Sequence, residues 1–183
     1  MSNYRRNYVP GGTFFFTLVT HQRRPILTSE FGRTSFREAL EHVKSEHPFT
    51  IFASVLLPDH YHCVWTLPNG DDDYSTRWGL IKEKFTRKFL EAGGTEGRST
   101  ASRRKHRERA IWQRRFWEHT VLDEDDLRRC VDYIHWNPVK HGYVKRPAQW
   151  QWSSFHSFVR SGDYPSNWGE SEMIIEVPGA EWE

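Results

Sequence analysis

The sequence predicts an α+β domain built on a small antiparallel sheet. Three observations predict it. Apolar and β-branched runs of strand length alternate with amphipathic stretches in the order β-α-β-β-α-β. Only Pro58–Asp59 separates the second and third strands, a connection that suits antiparallel neighbours. A further amphipathic stretch follows the fourth strand and supplies an added C-terminal helix. This is the split βαβ, or ferredoxin-like, order, with both crossover helices on one face of the sheet. The other face must be covered or used.

Thr13–Thr20 is a short β-branched and apolar run after Gly11–Gly12, a strand buried on both faces. Thr28 or Ser29 can cap a helix running to about His47, with Phe36, Leu40 and Val43 at helical spacing. Phe49–Leu57 and His60–Leu67 form the next two strands. Tyr74–Leu90 is helical, with Leu80 or Ile81, Phe85 and Phe89 on one side and lysines on the other. Residues 93–109 are rich in Gly, Ser and Arg without an apolar period, and read as a mobile basic loop. A fourth strand lies within Ile111–Val121. Asp123–Trp136 is a helix whose first turn gathers acidic residues, as the helix dipole favours. Asn137–Pro138 is expected to end it, since the residue before a proline is pushed out of the α region. Pro147–Val159, with its aromatics, is expected to pack across the body.

The chain has 183 residues with a mean hydropathy of −0.80, enough for one compact core under a large polar surface. The expected division is one folded domain over 1–160 and an acidic, poorly ordered tail over 161–183. No stretch approaches the ~18 apolar residues of a membrane helix. The start carries no secretory pattern. Cys63 and Cys130 form no CxxC pair, which excludes a zinc knuckle or disulfide scaffold and fits a reduced, cytoplasmic protein. The net charge of +2 conceals an asymmetry. Beyond Arg160 there are six acidic residues and no Lys or Arg. Within 98–115, eight basic residues, among them Arg103, Arg104, Lys105, Arg107, Arg114 and Arg115, face only Glu108. Such a segment suits a polyanion, as well as being an ordinary solvated loop.

His60 and His62 alternate with Tyr61 and Cys63 along one strand, so both imidazoles share a face, about 7 Å apart along the chain. They form a plausible half of a divalent metal site, although histidine pairs also arise by chance. Tyr133 and Asn137 are four apart near the end of the last helix and share a face one turn apart. A phenol is a poor nucleophile at neutral pH, its ordinary pKa being about 10. A cation held by His60, His62 and the Asn137 amide would neutralise the charge of a phosphate under phenolic attack. Taken alone, the same pair is read more simply as a packed tyrosine and a helix-ending asparagine.

LPDHYHCVWTLP around His60 and His62, IWQRRFWEHTV at 111–121 and DYIHWNPVKHGYV at 132–144 together resemble the REP-associated tyrosine transposases. These are relatives of the single-strand insertion-sequence transposases of the HUH class. The resemblance spans roughly residues 4–155. It implies a ferredoxin-like core and Mg²⁺ or Mn²⁺ as cofactor. It also implies cleavage and rejoining of single-stranded DNA at hairpin-forming palindromes, through a 5′-phosphotyrosine intermediate. By position, Tyr133 matches the nucleophile, His60 and His62 the paired ligands, and Asn137 the third ligand. Relatives read a tetranucleotide near the hairpin foot partly through N-terminal residues, a role that would fall to Arg5 and Arg6. A bacterial cytoplasmic location beside the nucleoid goes with it. A monomer is favoured over a dimer, because the tight Asn137–Pro138 turn suits a helix folded back on its own sheet.

Trp78 and Trp112 can stack on unpaired bases or fill the core, and the core is favoured. Lys82 can reach a phosphate or stay solvated. His119 is expected to occupy a polar niche, and His135, on the far side of the helix from Tyr133, is not taken as a base. Two other functions compete. A hairpin-binding regulator without chemistry would show no cleavage with or without metal. A metal-dependent hydrolase would tolerate loss of Tyr133.

Overall fold

A computed structural model describes residues 6–170. Its elements are β1 (Thr13–Val19), α1 (Glu30–Glu46), β2 (Thr50–Leu56), β3 (His60–Thr66), α2 (Tyr74–Glu91), α3 (Ala101–Lys105), β4 (Trp117–Thr120), α4 (Glu124–Lys140) and α5 (Phe155–Ser161). The four strands form one antiparallel sheet in the order β2-β3-β1-β4, the ferredoxin-like arrangement.

Alternation along the strands divides the core into two layers. Phe14, Phe16 and Leu18 of β1, with Tyr61, Cys63 and Trp65 of β3, pack under α1 and α2. Phe15 and Val64 face the other way, with Ala53 and Val55, and pack under Cys130, Val131, Tyr133 and Ile134 of α4. The α4 face is therefore covered by the very helix that carries the candidate nucleophile. Trp78 and Trp112 are both buried in the first layer, so both serve the core, as the sequence favours. Ser29 caps α1 by accepting from the Gly32 N–H. Glycine is required there, because a Cβ would lie 1.9 Å from the Ile26 carbonyl oxygen.

The structure departs from the sequence expectation in three places. First, α4 does not stop at Asn137. It runs through Pro138 to Lys140, and the His141 and Tyr143 N–H groups donate to the Asn137 and Pro138 carbonyls. Proline forfeits one backbone hydrogen bond, but Pro138 is buried and tertiary packing overrides the local preference. Second, the basic segment 93–109 contains the short helix α3 and an internal anchor. Arg103 is buried, and its guanidinium donates to the Arg109 and Trp112 carbonyls at 3.0 and 2.9 Å. Third, the opening of the expected tail is packed. Tyr164 and Trp168 lie against His135 and Phe155, and Arg146 pairs with Glu170. The apolar rings at 164 and 168 outweigh the acidic composition. The remainder of that tail, 171–183, lies outside the described residues, as does Arg5.

The Pro147–Val159 stretch does pack across the body. Ser153 bridges to Val55, the Leu56 N–H donates to Trp152, and the Ser154 N–H donates to Ser54. This closes the β2 edge, which would otherwise present unpaired backbone groups.

Candidate active site

β3 opens at His60, and the antiparallel register sets His60 opposite Val19 and His62 opposite Thr17. Both imidazoles project onto the α4 face, their centroids 4.9 Å apart and their planes nearly perpendicular. Each ring is fixed through Nδ1. His60 Nδ1 lies 2.7 Å from Asp59 Oδ1, and His62 Nδ1 lies 2.9 Å from Thr17 Oγ1. Burial pushes the Asp59 carboxyl up, but the His60 ring and the Arg23 guanidinium outweigh burial and hold it below the usual carboxylate range. An anionic acceptor on Nδ1 orients a ring so that Nε2 is presented, the arrangement metal-ligating histidines use.

From α4, Asn137 brings Oδ1 to 3.2 Å from His60 Nε2. One turn earlier, Tyr133 sets its ring edge-on to His62, with centroids 5.6 Å apart, and to Phe15 at 6.0 Å. The Lys140 Nζ donates to the Tyr133 hydroxyl at 2.7 Å. The His141 ring stands 4.9 Å from that of His60. Two imidazoles, an amide oxygen and a phenol thus meet within one chain. The cluster is enclosed: His60, His62 and Asn137 are fully buried and Tyr133 is 2% exposed. The donor set fits a divalent cation. Imidazole nitrogen and amide oxygen are both accepted ligands, and three neutral donors leave the ion its charge.

Sequence reasoning missed four neighbours. Asp59 was read as turn material and Thr17 as plain strand; cross-strand register is what makes Thr17 adjacent. Lys140 and His141 fell beyond the expected end of the helix. His135 is on the far side of α4, near Ser154, and burial pushes its imidazole down to about 3, so it is neutral. His119 contacts Asp126 at 2.8 Å and, with Cys130, forms a second group of donors all within 4.8 Å of one another. Asp126 is already engaged there by the Leu122 N–H and Arg129.

The basic residues divide by position. Arg103 points inward and serves the fold. Arg114 binds Glu108 and Ser102, and Arg104 binds the Ser99 carbonyl. Lys105, Arg107 and Arg115 are exposed. Arg6 donates to Ser75 and lies 4.6 Å over the Phe116 ring. The segment passes the histidine end of the sheet: the Gln113 N–H donates to Val19, the strand partner of His60. A groove of about 680 Å³ runs between α2 and residues 103–114, with Trp112 and Leu90 on its wall and Lys82 at its rim. Burial pushes the Lys82 ammonium down to about 8, with Arg6 and Arg103 adding to the effect, and Lys82 donates to the Gln113 carbonyl.

A ferredoxin-like sheet bearing a histidine pair on one strand and a tyrosine on the covering helix defines a class, and comparison with known proteins names it. Residues 9–137 match the family described as "Transposase IS200 like". The chain is 46% identical over 169 residues to the REP-associated tyrosine transposase of Escherichia coli (strain K12), covering 92% of this chain and 91% of that one. It is 43% identical over 170 residues to a putative REP-associated tyrosine transposase of Haemophilus influenzae, covering 92% and 94%. A solved structure described as a REP-associated tyrosine transposase bound to a REP hairpin superposes with a TM-score of 0.78. It is 42% identical, with 97% of this chain and 98% of that one covered. The chain belongs to the REP-associated tyrosine transposases, within the IS200-like family, and is an enzyme of that DNA-cleaving class. No helix among the described residues is long and apolar enough to cross a membrane.

Proposed function

We propose that this protein cleaves and rejoins single-stranded DNA at hairpin-forming palindromes, with Tyr133 as nucleophile. One observation carries the reading: the Tyr133 phenol, the His60 and His62 rings and the Asn137 amide converge in one buried cluster of one chain. The relative solved with a REP hairpin supports the substrate class.

His60, His62 and Asn137 would hold Mg²⁺ or Mn²⁺. When bound, such an ion offsets phosphate charge and polarises the phosphorus–oxygen bonds. The chain's own groups do the rest. Tyr133 forms a bond to the 5′ phosphorus as the bond to the 3′ oxygen breaks. The phenolic proton leaves to water and the 3′ oxygen takes one up. Rejoining is the reverse, and no high-energy cofactor enters because one ester replaces another. Asp59 and Thr17 keep the two rings oriented, and exposed Lys105, Arg107 and Arg115 hold the DNA backbone from the segment beside His60. Since the nucleophile meets the histidines of its own chain, the site needs no second subunit, and a monomer is the working form.

The test is incubation with labelled hairpin DNA and Mn²⁺ followed by denaturation. A covalent protein–DNA adduct is expected, absent in Tyr133→Phe while hairpin binding survives. Adduct persisting in that variant overturns the assignment. One observation favours a second reading, a hairpin binder without chemistry: the phenol is 2% exposed. That reading predicts no adduct from the unaltered protein at any metal concentration.

A further inference from the structure

We propose that Lys140 is a further catalytic residue, the counter-charge for the Tyr133 oxygen when its bond to phosphorus breaks. The inference rests on the tyrosine reading above and assigns the group that the reading leaves out.

The contact is direct. Lys140 Nζ is 2.7 Å from the phenol oxygen and 4.7 Å from the ring centroid, so the ammonium sits over the ring and donates to its hydroxyl. Lys140 and Tyr133 are seven apart, about two helical turns, and share a face of α4. The geometry exists only because α4 continues through Pro138; a helix ending at Asn137 would leave Lys140 in a turn. The lysine is itself exposed while the oxygen it touches belongs to a buried residue. A basic residue in the last helical turn is ordinary, since it offsets the helix dipole. The dipole does not account for a side chain that reaches back to one phenol oxygen.

The chemistry needs a charge at that point. In cleavage, the tyrosine oxygen bonds to phosphorus, the phosphorus–O3′ bond breaks, and the phenolic proton goes to water. In rejoining, the DNA 3′ oxygen bonds to phosphorus and loses its proton to water. The phosphorus–tyrosine bond breaks, and its electron pair returns to the phenol oxygen. Negative charge then accumulates on the atom beside Nζ. A preorganised cationic donor aimed at developing charge typically contributes about 10²–10³ in rate.

The wild-type protein and Tyr133→Phe are assayed first on labelled hairpin DNA with Mn²⁺. If the wild type gives no adduct, the tyrosine reading fails, and Lys140 has no such reaction to serve. With adduct in hand, single-turnover cleavage and rejoining are measured for Lys140→Met and Lys140→Arg, with hairpin affinity and melting temperature alongside. The expected result is rejoining slowed about 100-fold in Lys140→Met and by less than tenfold in Lys140→Arg, at unchanged affinity. Placing 3,5-difluorotyrosine at position 133, whose phenolate is intrinsically a better leaving group, should restore most of the rate in Lys140→Met. A merely structural lysine would not respond to that exchange. Rejoining by Lys140→Met within threefold of wild type, Lys140→Arg as slow as Lys140→Met, or no rescue by difluorotyrosine would each overturn the proposal.

Discussion

Asp59 illustrates how a residue outside the candidate ligand set governs it. Its carboxylate holds the His60 ring and is itself held by Arg23. Asp59→Asn should weaken Mn²⁺ binding about 10–100-fold while leaving the fold intact, as calorimetric titration with Mn²⁺ would read. Asp71 plays a stabilising part at a distance from the site. Arg77 is nearly buried, and Asp71 meets its guanidinium at 2.6 Å; that bond holds the Asp71 carboxyl below the usual carboxylate range. A carboxyl with a lowered folded-state pKa takes up protons more readily in the unfolded chain. Its contribution is therefore present above the ordinary value of about 3.8 and is lost as pH falls through its folded value. Asp71→Asn should cost about 1 kcal/mol at pH 7, since Asp71 is partly solvated, and flatten the acid side of the stability curve, measured by urea unfolding between pH 3 and 7.

Among the elements, the basic segment is the most instructive. Its composition announces a polyanion surface, and eight cations against one carboxylate read at first as a mobile loop. Yet one of the eight is a structural anchor. Nothing in the composition distinguishes Arg103 from Arg104, because the distinction depends on two carbonyls that reach Arg103 only after the chain has folded. Arg103→Met should release the segment, with about 2 kcal/mol of local stability lost. Limited trypsin digestion should then cut within 98–115 faster than in the unaltered protein, while α4 keeps its protection. By contrast, α1, α2 and all four strands were legible to within a few residues, because their apolar periods match the two core layers. The histidine pair and the i, i+4 tyrosine and asparagine were legible too, since both spacings are local. Thr17 was not, being fixed by register. Lys140 was hidden by a rule about proline that holds for isolated chains and yields here to packing.

At the scale of the molecule, the sheet is a partition. One face carries α1, α2 and an aromatic core that contributes stability. The other carries α4 and the candidate chemistry. A cation joining β3 to α4 through His60, His62 and Asn137 would fasten that helix to the sheet. Binding only the folded state stabilises it by RT ln(1 + [L]/Kd), about 2.7 kcal/mol at a hundredfold excess over Kd. Saturating Mn²⁺ should therefore raise the melting temperature by roughly 5–10 °C, and His62→Ala should abolish the rise.

Pro138 brings one more consequence. A prolyl nitrogen carries no hydrogen, so the carbonyl of Ile134 has no donor four residues on, and the rung that would fasten the final turn of α4 to the rest is absent. Tyr133 and Asn137 stand below that gap, and Lys140 stands above it. Thermal fraying should begin there: amides of residues 139–143 should exchange with deuterium well before those of 128–136. On the proposed reading, a strand of DNA seeking the enclosed phenol would then find its doorway where the ladder of α4 lacks a step.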